Sequence, residues 1–336
     1  GREWAESHGA VEIEREFSGS MRAAYTGSAF FAVQHAFGDR LILEAIYNST
    51  PGRRLLSVYN NDRARIDKQT SASERFDEQK ILIASDGNSS YHSFQLRLTS
   101  RERRGLVFQA HYTFSKAIDT MSDDRPNMFR SLALGAVYEN SLALERSVSD
   151  FDRRHRAVGH FLWRGPSLDS RDRGLRWLLG DWNLSGIVTV QSGPRVSLYS
   201  GGDYFGGRGD FNRDGVLNDR LAYRGAGPLG RAIRPGASAA DGYFDPSLFA
   251  APGASGRLPL GRNVLPAPGY GSIDLSVRKE FRLSERNSFD LRMDVFNAMN
   301  RANFAPPITD LASADFGRSV EASAGRIIRL MLKYSF

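Results

Sequence analysis

The last eleven residues, Arg326–Phe336, read RIIRLMLKYSF. Ile328, Leu330, Leu332, Tyr334 and Phe336 fall on one face of an extended strand, and Arg329, Met331, Lys333 and Ser335 fall on the other, because successive side chains of a strand point to opposite sides. A terminal strand of a soluble sheet with one solvated face alternates in the same way, so the rest of the chain has to discriminate.

Several upstream segments repeat the pattern. In 287–297 the apolar set is Phe289, Leu291, Met293 and Val295, opposed by Asp290, Arg292, Asp294 and Phe296. In 271–281 Ile273, Leu275, Val277 and Phe281 oppose Asp274, Ser276, Arg278 and Glu280. In 181–193 Trp182, Leu184, Val188 and Val190 oppose Asn183, Ser185, Thr189 and Gln191. In 105–116 Leu106, Phe108, Ala110, Tyr112 and Phe114 oppose Gln109, His111, Thr113 and Ser115. Weaker alternation occupies 28–37, 40–48, 90–100, 154–164 and 10–17. The expectation is about ten strands, each about as long as a membrane crossing requires. The one short amphipathic helical stretch lies near Leu175–Leu179.

The connections sort by length. Tight ones fall at Gly38-Asp39, at RERRG (101–105) and at LSER (283–286), whereas long ones occupy 49–89, 117–153, 195–269 and 298–322. In an up-and-down path every long connection then lands at one end and the tight ones at the other, with 165–181 as the intermediate exception. A soluble sandwich has no reason to sort its loops in this way, whereas outer-membrane barrels carry short periplasmic turns and long extracellular loops. Aromatic residues near strand ends, Tyr47, Trp163, Trp182, Tyr270, Phe281, Tyr334 and Phe336, are expected to form interfacial girdles. Lys279 is on the apolar side but close to its strand's end, where it is expected to snorkel.

Composition agrees with this reading. The 336 residues are 41% hydrophobic with mean hydropathy −0.40, and no run approaches the ~18 apolar residues of a spanning helix. A barrel tolerates such polarity because half of each strand faces a wet interior. Cysteine is absent, so no disulfide framework or thiolate metal site exists. The net charge of +7 comes from arginines scattered among 38 acidic residues, which gives no nucleic-acid groove and suits anionic lipid headgroups. The opening GREWAESHGA has no signal-peptide pattern, and the expectation is a mature product or a fragment.

Taken in order, YHSFQLRLTSRERRGLVFQAHYTFSKAID, DFDRRHRAVGHF, GDWNLSGIVTVQSG, GDFNRDGVLNDR, PLGRNVLPAPGYGSIDLSVRKEF, LRMDVFNAMNRANFAPP and the terminal LKYSF resemble the C-terminal barrel half of TonB-dependent outer-membrane receptors. The likeness is greatest to the group with an N-terminal carboxypeptidase-regulatory-like domain, related to the Oar proteins, and it runs from about residue 30 to the end. The resemblance implies a barrel of about twenty-two strands with an N-terminal plug and a TonB-contacting box. This chain shows neither and would supply about ten of the strands, as an antiparallel up-and-down transmembrane portion in a multi-pass protein of the Gram-negative outer membrane. The implied partners are outer-membrane lipid and lipopolysaccharide, the barrel-assembly machinery, the plug and TonB. The resemblance also implies that Phe336, with Tyr334 and Leu332, forms an assembly signal; a lipid-facing last strand would look the same.

Among local motifs, DFNRDGVLND has the spacing of a calcium loop. Asp210, Asn212 and Asp214 hold positions 1, 3 and 5, Gly215 the turn, Val216 a carbonyl and Asn218 position 9. Leu221 occupies position 12, where a bidentate glutamate belongs, and an Asp/Asn/Gly turn without metal fits the same residues. Asp150, Asp152, His155 and His160 read as structural rim residues, since histidines five apart on a strand point to opposite faces. No nucleophile with a base, phosphate loop or carboxylate pair is found, and catalysis is not expected. The expected function is energy-coupled uptake of a siderophore, saccharide or peptide by the outer loops, with Tyr204, Phe205, Arg208, Tyr243 and Phe244 as recognition residues. The alternative is an adhesion module whose loops engage a partner without transport.

Overall fold

In an antiparallel ladder, residues directly opposite one another share a face, so the register decides whether the alternating segments add up to one apolar surface. The computed structural model describes residues 12–60, 78–122, 145–167, 173–201, 220–234, 239–251 and 259–336. Its elements are β1 (Glu12–Phe17), β2 (Tyr25–Thr26), β3 (Ala29–Phe37), β4 (Leu41–Asn60), β5 (Glu78–Ser100), β6 (Leu106–Asp119), β7 (Ser147–Val148) and β8 (His155–Arg164). Helix α1 (Arg173–Leu179) precedes β9 (Asn183–Gln191), β10 (Arg195–Val196) and β11 (Ala222–Tyr223). Helix α2 (Ala239–Gly242), β12 (Phe249–Ala250), β13 (Leu265–Pro266), β14 (Tyr270–Arg282), β15 (Ser288–Phe296) and β16 (Ile327–Ser335) complete the order.

One 12-stranded sheet forms the wall, with β3, β4, β5, β6, β8, β9, β14, β15 and β16 as antiparallel neighbours in chain order. The apolar residues line up across it. Leu332 opposes Leu291, which opposes Lys279, and Leu330 opposes Met293, which opposes Val277. Leu184 continues the Val277 row to Trp163 and Leu106, and Phe161 opposes Phe108 one row over. Farther along, Tyr112 opposes Leu96, which opposes Ala45 and then Val33. The opposite face pairs charges: Arg278 with Asp290, Arg292 with Asp294 at 2.8 Å, and Arg97 with Glu44. Gly186 makes room on the apolar face, since a Cβ there would sit 2.7 Å from Phe161 Cε1 and 2.9 Å from Leu275 Cδ2.

The tight connections gather at the end where β16 finishes. The β14–β15 turn closes with Leu283 N donating to Asn287 O at 2.9 Å, and Tyr334 of the last strand donates to Asn287 Oδ1 at 3.1 Å. The β5–β6 turn needs Gly105 at φ +79°, in the left-handed region that glycine adopts without steric cost. Most of the expected girdle residues lie in the outer-face register, but Tyr270 opposes Gln191 and Arg156 and so sits on the charged face. Its strand begins there, and an even position on β14 is an inner one.

Two expectations change. Segment 49–89, read as a loop, is largely ladder: β4 and β5 stay paired from Ser49 opposite His92 out to Asn60 opposite Ile81, with bulges near Leu55. β5 has 23 residues, about twice the 9–11 of a membrane-crossing strand, so the outer part of this ribbon exceeds the length of any single crossing. The sequence hides it because a ribbon in water has no apolar face to keep, and Pro51-Gly52-Arg53-Arg54 interrupts the alternation. The candidate strand at 10–17 does form over Glu12–Phe17, but it pairs in parallel with the protruding part of β5 and is not a neighbour in the meander. Among the described residues β16 pairs only with β15, and the far edge of β3 is free, so the sheet within this chain is open.

Candidate functional site

The loops at the far end of the wall build a scaffold of their own. Leu198, Leu221, Ala232, Phe244, Phe249, Leu265 and Phe316 form a hydrophobic cluster, with Tyr223, Leu229, Ile233, Tyr243 and Leu248 packed against it. Phe316 comes from 298–322 and the others from 195–269, so two long connections share one core. Aromatic edges meet there, with Phe249 and Phe316 centroids 5.9 Å apart at 75°, a geometry that places a ring edge on a ring face. β10 pairs with β13 and β11 with β12, which closes 195–269 onto itself. Asn303 fastens the second loop to the wall by accepting from Gly271 N at 2.8 Å and donating to Gly271 O at 3.0 Å.

A polar hub ties a third connection to this scaffold. Arg262 is buried and donates to Ser122 Oγ at 2.8 Å, to the Asp119 carbonyl at 2.9 Å and to the Asp119 carboxylate, with Asp150 at 3.5 Å. Asn263 donates through its side chain to Val148 O at 2.8 Å and to Asp150, and through its backbone to Ser197 Oγ at 2.9 Å. A second buried pair, Arg220 with Glu145, lies nearby. Ions so placed hold only when each is matched and hydrogen-bonded. Burial pushes the Tyr199 hydroxyl above its ordinary value, against the pull of Ser197 and Arg220. Asp245 is held below the ordinary carboxylate value by the Ser247 hydroxyl and backbone N–H, at 2.7 and 3.0 Å, and by Arg234 at 3.6 Å. There it caps the 3-10 turn Pro246–Leu248.

Asp150 and Asp152 are indeed rim residues. Asp152 is buried and accepts from Ala117 N at 2.7 Å, which occupies a backbone donor of β6 between its β8 and β7 ladders. His155 and His160 face opposite sides, His155 hydrogen-bonding Tyr112 Oη at 2.8 Å on the apolar side and His160 opposing Gln109 on the other. Tyr47 and His92 repeat the first arrangement at 2.9 Å. Such tyrosine–histidine pairs offer an apolar body and a polar tip at the loop-side margin of the apolar face. Arg53 and Arg146 flank a cavity of about 270 Å³ with Asn88, Ser89, Ser90 and Ile118.

Of the expected recognition residues, Phe244 is fully buried at 0% exposure and serves the loop core, which removes it from any ligand surface. Tyr243 is half-buried beside it, with ring centroids 5.3 Å apart. Tyr204, Phe205, Arg208 and the calcium-loop residues Asp210, Asn212, Asp214, Val216 and Asn218 lie outside the described residues. Among the described residues no group of three or more His, Cys, Asp or Glu converges as a metal site would require. Phe336 is 93% exposed and stacks on Tyr334 at 5.7 Å, while Leu332 opposes Leu291 on the apolar face. Sequence reasoning missed the hub: the adjacent Arg262 and Asn263 lie more than a hundred residues from their partners Asp119 and Asp150, and no periodicity links them.

The model of the outer membrane beta barrel domain family matches residues 14–329. No curated protein matches the sequence significantly. Among solved structures the chain is similar to the outer membrane transporter YddB from Escherichia coli, with TM-score 0.51 and 10% identity over 97% of this chain and 34% of that one. It is less similar to BauA, the ferric preacinetobactin receptor from Acinetobacter baumannii, at TM-score 0.43 and 13% identity over 93% and 29%. The FrpB iron transporter from Neisseria meningitidis gives TM-score 0.44 and 12% identity over 96% and 33%. The chain thus spans about a third of the length of these structures, and the likeness to YddB concerns the fold.

Proposed function

Since this chain belongs to the outer membrane beta barrel domain family, we propose that it forms the C-terminal wall of a TonB-dependent receptor of the carboxypeptidase-regulatory-like, Oar-like group. The protein resides in the outer membrane of a Gram-negative bacterium; in this reading the β16 end, with its tight turns, is periplasmic and the loop scaffold is outside. In this reading an N-terminal plug fills the interior and contacts TonB, and the outer loops capture a nutrient.

The observation that supports this most is the shared core of 195–269 and 298–322, locked to the wall through Arg262 and Asn303. A loop that merely connects strands has no need of a buried core. A rigid platform lowers the entropy cost of holding a ligand. Tyr243, Tyr204, Phe205 and Arg208 are the proposed contacts, all within the 195–269 connection. Deleting residues 201–268 is expected to abolish energised uptake while the barrel still assembles. Unaltered uptake would contradict the reading, and lost surface binding in a protein that never transported would favour adhesion.

Asp210, Asn212, Asp214, Val216 and Asn218 are proposed to bind calcium on the same stretch, since alternate oxygen donors around a glycine turn suit a hard cation. Calorimetric titration with calcium is expected to give heat that Asp214→Ala removes. Equal heats from both proteins would mean that no site is there.

A further inference from the structure

Lys279 is an anomaly on the lipid-facing side. Its row continues through Leu291 to Leu332, yet only 2% of it is exposed. It does not snorkel to water as its sequence position suggested. Its ammonium donates to the carbonyl of Gly180 and lies over the rings of Trp182 and Phe281, at 5.4 and 5.2 Å. Gly180 is the residue after α1, where carbonyls without an intrahelical partner and the negative end of the helix dipole attract a cation. The β8–β9 connection therefore folds back over the outer surface of the wall and covers a charge that lipid would otherwise meet.

The covering helix is itself apolar toward its surroundings. In RGLRWLL, Leu175, Trp177, Leu178 and Leu179 are 47%, 48%, 53% and 53% exposed, although they are the helix's large hydrophobic side chains. Trp177 packs on Phe281 with centroids 4.6 Å apart, and Phe281 shares its row with Phe289 and Tyr334. Trp182 donates its indole N–H to Leu178 O at 3.1 Å, which ties the start of β9 to the helix. The exposed helix surface is thus continuous with the lipid-facing wall at its turn end, on the side away from the charged interior.

We propose that α1 is an interfacial anchor, lying in the headgroup region of the periplasmic leaflet with Leu175, Trp177, Leu178 and Leu179 in contact with phospholipid and Lys279 holding it to the wall. Helices of this kind bury their apolar side about 5–10 Å into the headgroup–acyl boundary. Tryptophan favours that depth because its ring is apolar and its N–H is not. A lipid occupant follows from this continuity, since a surface joined to the membrane-facing wall meets the same medium.

These 336 residues contain no cysteine, so one introduced thiol among them reports one position once any cysteine elsewhere in the reading frame is replaced by serine. Leu178→Cys and, as a turn control, Glu285→Cys would be labelled with an environment-sensitive fluorophore in the protein made from its complete reading frame. Each would be reconstituted into phosphatidylethanolamine–phosphatidylglycerol vesicles carrying nitroxides near the headgroup or at the chain end. At 178, quenching by the shallow nitroxide is expected to exceed that by the deep one and to be at least about threefold that at 285. Quenching at 178 no greater than at 285, with free access to aqueous iodide, would overturn the proposal, as would stronger quenching by the deep nitroxide. Should Leu178→Cys fail to assemble, Leu179→Cys carries the same test.

Discussion

Arg262 shows how much of the loop structure rests on one side chain. It reaches Asp119 on β6, Ser122 beyond it and Asp150 beside β7, so it joins connections that are distant in sequence. Arg262→Ala would leave the buried carboxylate of Asp119 without its cation, a change that costs about 3–5 kcal/mol at such sites. Arg262→Ala is expected to retain its strands while the loops become sensitive to limited proteolysis at temperatures that leave the parent intact. Equal cleavage rates would mean that the hub adds nothing to loop order. Phe244 marks how far single residues are legible. Phe244 read as a recognition residue because aromatic side chains dominate interfaces, but the same chemistry drives rings into cores, and sequence offers no way to separate the two.

Elements were legible where the membrane imposes a pattern and obscure where it does not. β14, β15 and β16 follow their alternation because a crossing strand must keep one face apolar along its whole length. The outward ends of β4 and β5 obey no such demand, and their pairing comes from backbone hydrogen bonds that any side chain permits. The short amphipathic stretch at 175–179 was visible, but its attachment was not, because the covered ammonium of Lys279 lies about a hundred residues away. The last strand carries the proposed assembly signal. Tyr334 touches Phe289 at 4.9 Å and stacks on Phe336, so the terminal ring projects from a fixed platform and is itself 93% exposed. Deleting Phe336 from the protein made from its complete reading frame is expected to reduce the membrane-inserted fraction severalfold, read as heat-modifiable migration on gels. Unchanged insertion would leave Phe336 as a lipid contact only.

For the whole molecule, one principle orders wall, turns and loops: the outer face meets hydrocarbon and the inner face meets water or protein. It accounts for the pairing of Arg278 with Asp290 and Arg292 with Asp294 on one side. It accounts equally for the covering of Lys279 on the other. It also explains why, among the described residues, the buried core lies in the loops, which are free of lipid. β15 tests this most directly because it is paired on both edges, so access to its side chains depends on the medium at each face. Spin labels placed singly from Phe289 to Val295 in the membrane-embedded protein would be relaxed by apolar oxygen and by a water-soluble nickel complex. Oxygen access is expected to be highest at Phe289, Leu291, Met293 and Val295, with nickel access or motional restriction at Asp290, Arg292 and Asp294. Two-residue alternation in the opposite phase, or none at all, would contradict it.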